Sequence, residues 1–269
     1  MAELGETNAA AYVQWPDGRQ GVLTRTRYPI QHLERTAEIL ELVRARGIAV
    51  PRYDLIVQVE DWTVVVQERL PGAPLAGRHI DLPMMEAILA LNDSCAGLLI
   101  HEPDVPTLEM RSASEVIADG TPRYGALDRY DNRTRELFAR IRDIHETSDG
   151  PTAGHDLVHG DFSPPNILFD ATGNLTGVVD WHDHTLYRGD RRYSLVPLRF
   201  ELAWAIVRGW TTVDPDALSR LDEALDTIEP ANLQLYWTHP SLNLLGAMIG
   251  EARHTDVAYL LTIAWSRLS

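Results

Sequence analysis

The stretch His159-Gly160-Asp161-Phe162-Ser163-Pro164-Pro165-Asn166-Ile167-Leu168-Phe169, followed by Gly177-Val178-Val179-Asp180-Trp181, decides how the chain is read. Its apolar runs have strand character, and Ala171-Thr172-Gly173-Asn174 between them is a turn sequence. The stretch reads as a loop leading into a hairpin, with Asp161 and Asn166 on the loop and Asp180 where the hairpin returns. One carboxylate to face an attacking hydroxyl, with a second carboxylate and an amide oxygen to hold a hard cation, is the set that phosphoryl transfer needs.

Working outward toward the N-terminus, short strands surround one helix. Residues 11–15 and 21–26 flank Pro16-Asp17-Gly18 and predict a hairpin. Residues 31–46 place Leu33, Ala37, Leu40 and Val43 at helical spacing, with Gly47 as the stop. Residues 53–59 and 62–68, rich in Val and Ile, predict a second hairpin. Leu70-Pro71-Gly72-Ala73-Pro74 is the best boundary and divides the chain into 1–70 and 71–269. Beyond it the periodicity is helical over 81–101, 128–147, 190–208 and 214–228, with two more helices to the end. Asp214 is the expected N-cap of the fourth of these, with Pro215 in its first turn. The expectation is an α+β chain with a small β-rich lobe and a larger, mainly helical lobe.

Composition narrows the function. Apolar residues make up 45% of the 269 and charged residues 23%, enough for a large core. No run of 18 apolar residues without a charge predicts a membrane span, and the first residues lack the pattern of a secretory leader. Cys95 has no second cysteine to pair with, so a buried thiol in a cytoplasmic protein is expected. The net charge of −15 argues against a nucleic-acid partner and suits a cationic one, although solubility alone explains it equally well. The chain contains no lysine; apart from histidine, every basic residue is arginine.

The His-Gly-Asp of 159–161, the Asn five residues after that Asp, and the Val-Asp-Trp of 179–181 together resemble the signature of the aminoglycoside phosphotransferases and their choline kinase-like relatives. That resemblance implies a protein-kinase-like two-lobed fold, ATP and Mg²⁺ as cofactors, and a small-molecule hydroxyl as acceptor. It implies Asp161 as the catalytic carboxylate, Asn166 and Asp180 as metal ligands, and His159 as a support of the loop. Carried over the rest of the chain, it places a phosphate-covering loop at Gly5-Glu6-Thr7-Asn8-Ala9 and a phosphate-binding cation at Arg25, with Arg27 as the alternative. It places adenine against the backbone near Glu68 and Leu70. Two positions depart from the pattern. Thr36 stands where a helix Glu would pair with the cation, leaving Glu34 or Glu38 to reach it, and Ser194 stands where relatives carry an Asp.

The substrate side falls in the helical part. Asp183 and Glu201 are the candidate contacts, with Trp204, Trp210, Tyr236 and Trp237 as aromatic neighbours or as core. His182 and His184 alternate without a cysteine, a poor zinc pattern. A cationic antibiotic, an aminoglycoside above all, is the expected acceptor. The alternatives are a metabolic kinase of choline, homoserine or sugar type, and an inactive kinase-like binding protein.

Overall fold

Pro16, Asp17 and Gly18 turn the chain back on itself, with the Gly18 amide donating to Trp15 O at 2.9 Å. The computed structural model describes residues 10–109, 122–182 and 185–269. The turn joins β1 (Ala11–Gln14) to β2 (Gln20–Thr26), and β3 (Tyr53–Val59) and β4 (Trp62–Glu68) form the second expected hairpin. All pair antiparallel in the order β1-β2-β4-β3. Between the hairpins runs α1 (Ile30–Ala45), burying Leu33, Ile39, Leu40 and Val43. Gly47 ends it with φ +83°, the left-handed stop that its sequence position suggested.

The described residues form two compact units: residues up to Leu75 together with Pro165–Leu186, and Ala76–Pro164 together with Tyr187–Ser269. In the first, β5 (Ala73–Pro74), β8 (Ile167–Phe169) and β9 (Leu175–Val178) make a second antiparallel sheet. Asp170 ties the β8–β9 turn. Its Oδ1 accepts the Asn174 and Thr172 amides at 2.9 and 2.8 Å, and these bonds hold the carboxyl far below the usual range. Gly177 is required where β9 passes the strand sheet, because a Cβ there would lie 2.4 Å from Leu70 Cδ1 and 2.8 Å from Ala49 O.

The second unit is helical: α2 (Leu82–Ser94), α3 (Pro122–Tyr130), α4 (Asn132–Thr147), α5 (Leu195–Val207), α6 (Pro215–Leu225), α7 (Pro230–Gly250) and α8 (His254–Leu268). Short pairs β6 (His79–Ile80) with β11 (Thr212–Val213), and β7 (Asp156–His159) with β10 (Leu186–Gly189), complete it. Tyr236, Trp237 and Leu245 of α7 are fully buried at its centre.

Three helices differ from expectation. The one expected over 81–101 ends at Ser94, because the Leu99 amide donates to His155 O at 2.8 Å and Leu157 N to Cys95 O at 3.0 Å, docking this segment on β7. The 128–147 helix starts at Asn132, since Asp131 forms a capping box with Thr134. The 190–208 helix opens as a 3₁₀ turn, Arg191–Ser194, before α5 begins. Asp214 does precede α6, but its carboxylate makes no cap bond and lies 3.4 Å from His79 Nε2. Cys95 is a buried free thiol, and burial pushes it up to about 12. Among the described residues no helix is long and apolar enough to cross a membrane.

Candidate active site

In the helical unit, β7 delivers the loop that carries Asp161. His159, at the end of the strand, is buried; its backbone N–H donates to Ser194 Oγ at 3.0 Å, and its Nδ1 accepts the Asp161 N–H at 3.1 Å. The Ser163 amide donates to Asp161 O at 2.9 Å, and Phe162 tilts against the His159 ring at 6.1 Å. These bonds fix the turn that carries Asp161. Ser194 thus fills the departure from the family pattern with a neutral hydroxyl that accepts the amide of the loop. Just before it, buried Asp190 grips the Arg192 guanidinium, with its closest contacts at 2.8 and 2.9 Å, and caps the 3₁₀ turn.

Two side chains from other helices sense Asp161. Glu201 on α5 is half-buried, and burial followed by the Asp161 charge pushes it up to about 8. His239 on α7 is pushed down to about 4, chiefly by burial and less by His145, with Asp161 opposing. The ring of His239 is held by the Tyr193 hydroxyl at Nδ1 and by Asn243 Nδ2, 2.9 Å from Nε2. At neutral pH both groups are therefore uncharged. The sequence marked Glu201 but gave no signal for His239, a single histidine in a long helix.

The first unit carries the other two acidic and amide positions. Asn166 ends a short 3₁₀ turn, Pro164–Asn166, and is buried. Val179 N–H donates to Asn166 O at 2.9 Å, and Ile167 opposes Val178. Asn166 and Asp180 therefore flank the open end of one hairpin. Asp180 adopts φ +66°, a left-handed conformation that costs a non-glycine residue roughly 1–2 kcal/mol. Its carboxylate is half exposed, and His182 Nε2 lies 3.9 Å from Oδ1 while the His182 ring stacks on Tyr28 at 6.0 Å. An amide oxygen and a carboxylate are hard donors that fit Mg²⁺ and leave its other positions to phosphate and water. Among the described residues no group of three or more His, Cys, Asp or Glu could hold a metal.

The remaining expected positions are scattered over the strand sheet. Arg25 and Arg27 both stack on Trp62, at 4.7 and 4.8 Å from the ring centre. On α1, Thr36 is buried, Glu34 and Glu38 are exposed, and Glu38 pairs with Arg35 at 3.0 Å. A helix-to-strand ion pair runs from Arg44 to Glu68 at 2.9 Å, and Arg44 also donates to Val50 O. The Glu68 carboxylate is therefore engaged, and its amide donates to Arg52 O at 2.7 Å. Neither the amide nor the carbonyl of Leu70 has a backbone partner among the described residues. Gly5–Ala9, Asp183 and His184 lie outside the described residues.

The model of the family described as "Phosphotransferase enzyme family" matches residues 2–236. The chain belongs to that family. A curated relative, the uncharacterized protein YcbJ of Bacillus subtilis (strain 168), is 24% identical over 212 residues, covering 67% of this chain and 64% of that protein. The chain thus spans just under two thirds of that relative's length. Among solved structures, a thermostable mutant of aminoglycoside phosphotransferase APH(4)-Ia in ternary complex with ADP and hygromycin B superposes with a TM-score of 0.67 at 17% identity, covering 100% of this chain and 92% of that one. Amicoumacin kinase hAmiN in complex with AMP-PNP, Ca²⁺ and Ami gives 0.63 at 12%, covering 98% and 88%. These likenesses establish the kinase-like fold of this phosphotransferase family member: a small antiparallel sheet unit and a helical unit.

Proposed function

We propose that this phosphotransferase family member transfers the γ-phosphoryl group of ATP to a hydroxyl of a small cationic molecule in the cytoplasm. A cationic antibiotic, most simply an aminoglycoside, is the acceptor, and resistance or self-protection is the consequence. The observation that carries the reading is the placement of Asn166 and Asp180 at the two sides of one hairpin mouth, in a chain whose preceding loop, bonded at His159, carries Asp161.

Asp161 orients the acceptor hydroxyl and receives its proton as the new O–P bond forms and the bond from the γ-phosphorus to ADP breaks. Asn166 and Asp180 would hold Mg²⁺, which when bound would neutralise charge on the phosphates. Arg25 neutralises phosphate charge on the nucleotide side, with Arg27 two residues on as its alternative. The backbone at Glu68 and Leu70 receives the adenine. Glu201 and Asp183 contact the substrate. Support from relatives is specific to them: the structures named above hold ADP with hygromycin B, and AMP-PNP with Ca²⁺ and Ami.

The test is coupled ADP release with Mg-ATP across aminoglycosides, basic peptide antibiotics, macrolides, choline and simple sugars. Turnover with one class is expected, and Asp161→Asn should lower it by about 10²–10⁴-fold while nucleotide binding persists. Undiminished turnover in that variant removes Asp161 from the mechanism. Nucleotide binding with no turnover on any member favours a binding protein.

A further inference from the structure

The left-handed backbone at Asp180 is held by two hydroxyl groups from outside the signature. Thr185 Oγ1 donates to Asp180 O at 2.7 Å, and the Tyr53 phenol donates to Trp181 O. The carbonyls on both sides of the Trp181 Cα, the first of them in the peptide unit that leaves Asp180, are thereby tied down. Thr185 is buried, and its oxygen also accepts the His182 N–H at 2.8 Å, so the hydroxyl is fixed from two directions. Trp181 is fixed as well: its ring is buried and Nε1 donates to Val178 O at 2.9 Å.

Tyr53 reaches Trp181 because β3 is irregular there. Tyr53 opposes Gln67 and Leu55 opposes Val66, so Asp54 is one residue too many on the β3 side. In a regular strand, residues two apart share a face. The bulge breaks that alternation and puts Tyr53 on the face opposite Leu55, which is exposed. Without it the phenol would point away from Trp181. A bulge that re-aims one side chain onto the residue after a strained carboxylate has a use at that carboxylate.

We propose that Tyr53 and Thr185 are positioning residues for the divalent cation, clamping the backbone around Asp180 so that its carboxylate stands preformed beside Asn166. The proposal rests on Asp180 being a metal ligand, as assigned above. Groups that orient a metal ligand typically change metal affinity by about 10–100-fold when removed. A merely structural hydroxyl would alter the melting curve and leave that affinity alone.

The experiment is Mn²⁺ binding, read by electron paramagnetic resonance on the full chain saturated with AMP-PNP. Tyr53→Phe and Thr185→Val, which keep the packing and lose the hydroxyl, should each weaken Mn²⁺ by about tenfold. Thr185→Ser, which keeps the hydroxyl, should bind as the parent does. Asp180→Asn separates the two readings. If it binds Mn²⁺ like the parent, the metal assignment fails and takes this proposal with it. If it loses Mn²⁺ while Tyr53→Phe and Thr185→Val stay within about twofold of the parent, the metal assignment stands and the clamp is overturned. Equal losses in Thr185→Ser and Thr185→Val also overturn it, because the hydroxyl would then not be the cause.

Discussion

Glu201→Gln replaces an acid by an amide of the same shape, and the consequence can be worked out from its surroundings. Burial, then the Asp161 charge, raises the Glu201 carboxyl from its ordinary 4.5 to about 8. Between these two pH values the folded chain keeps a proton that the unfolded chain has released. Folding stability therefore falls as pH rises through this window, by about 1.4 kcal/mol per pH unit at most. The favourable share is complete below 4.5 and gone above about 8. From about pH 5.5 to about pH 7.5 the loss is on the order of 3 kcal/mol, an upper value because water reaching a half-buried carboxyl reduces it. The amide carries no such proton, so its stability lacks this slope, and all other titrating groups cancel in the difference. Urea unfolding of both proteins, followed by tryptophan fluorescence at several pH values, gives that difference directly. Wild type should be the more stable partner at low pH relative to its position at high pH. A difference that stays constant over the window refutes the reasoning: Glu201 would then ionise like a solvated carboxyl. Adding Asp161→Asn should remove only the smaller part of the slope, since burial is the larger cause.

Ser194→Ala leaves the buried His159 amide without its acceptor, at a cost of about 1–3 kcal/mol in unfolding free energy. Because that amide anchors the Asp161 turn, kcat should fall with KM little changed, and an unaltered kcat in steady-state kinetics would show that the loop holds without it. His239 behaves in the opposite sense to Glu201 along the pH axis. Its pKa of about 4 lies below the ordinary 6.5, so as pH falls from 6.5 toward 4 the unfolded chain takes up a proton the folded chain refuses. Wild type should lose up to about 1.4 kcal/mol per pH unit in that range relative to His239→Gln, measured by the same urea titrations.

The parts legible in the sequence were those written in local chemistry. The two strand hairpins, the stop at Gly47 and the β8–β9 turn follow from turn residues and apolar alternation, and the structure has them where the residues put them. The placement of Asn166 and Asp180 at the two sides of one hairpin was legible because a short turn fixes their spacing. What failed to show was written in long-range contacts. Gly97, with φ +62°, is the one local mark of the end of α2, and the Leu99 and Leu157 amides fix that end by joining segments about sixty residues apart. The helix-to-strand pair from Arg44 to Glu68 joins residues 24 apart and leaves no local mark in the sequence. The bulge at Asp54 is invisible in Tyr53-Asp54-Leu55-Ile56, because an extra residue in a ladder is defined only by the partner strand.

The net charge of −15 suited a cationic partner, and the structure makes that inference more local. Many carboxylates of the helical unit are already answered by arginine. Asp222 is taken by Arg199 and Arg267, Asp256 by Arg253 and Arg208, and Asp190 by Arg192. Their charge cannot be counted again for a ligand. Glu201 has no such counter-ion among the described pairs, but burial discharges it at neutral pH. For the cationic acceptor proposed above, attraction at short range therefore depends on whether the ligand's own charge can replace the solvent that Glu201 lacks. An ammonium placed there would favour the ionised acid, pull its pKa down and release a proton on binding. A neutral alcohol would leave the carboxyl protonated, a donor rather than an anion. The same side chain thus distinguishes the two classes by charge state. Release of a proton on binding, or none, measured by calorimetry in buffers of different ionisation enthalpy, tells the two ligand classes apart.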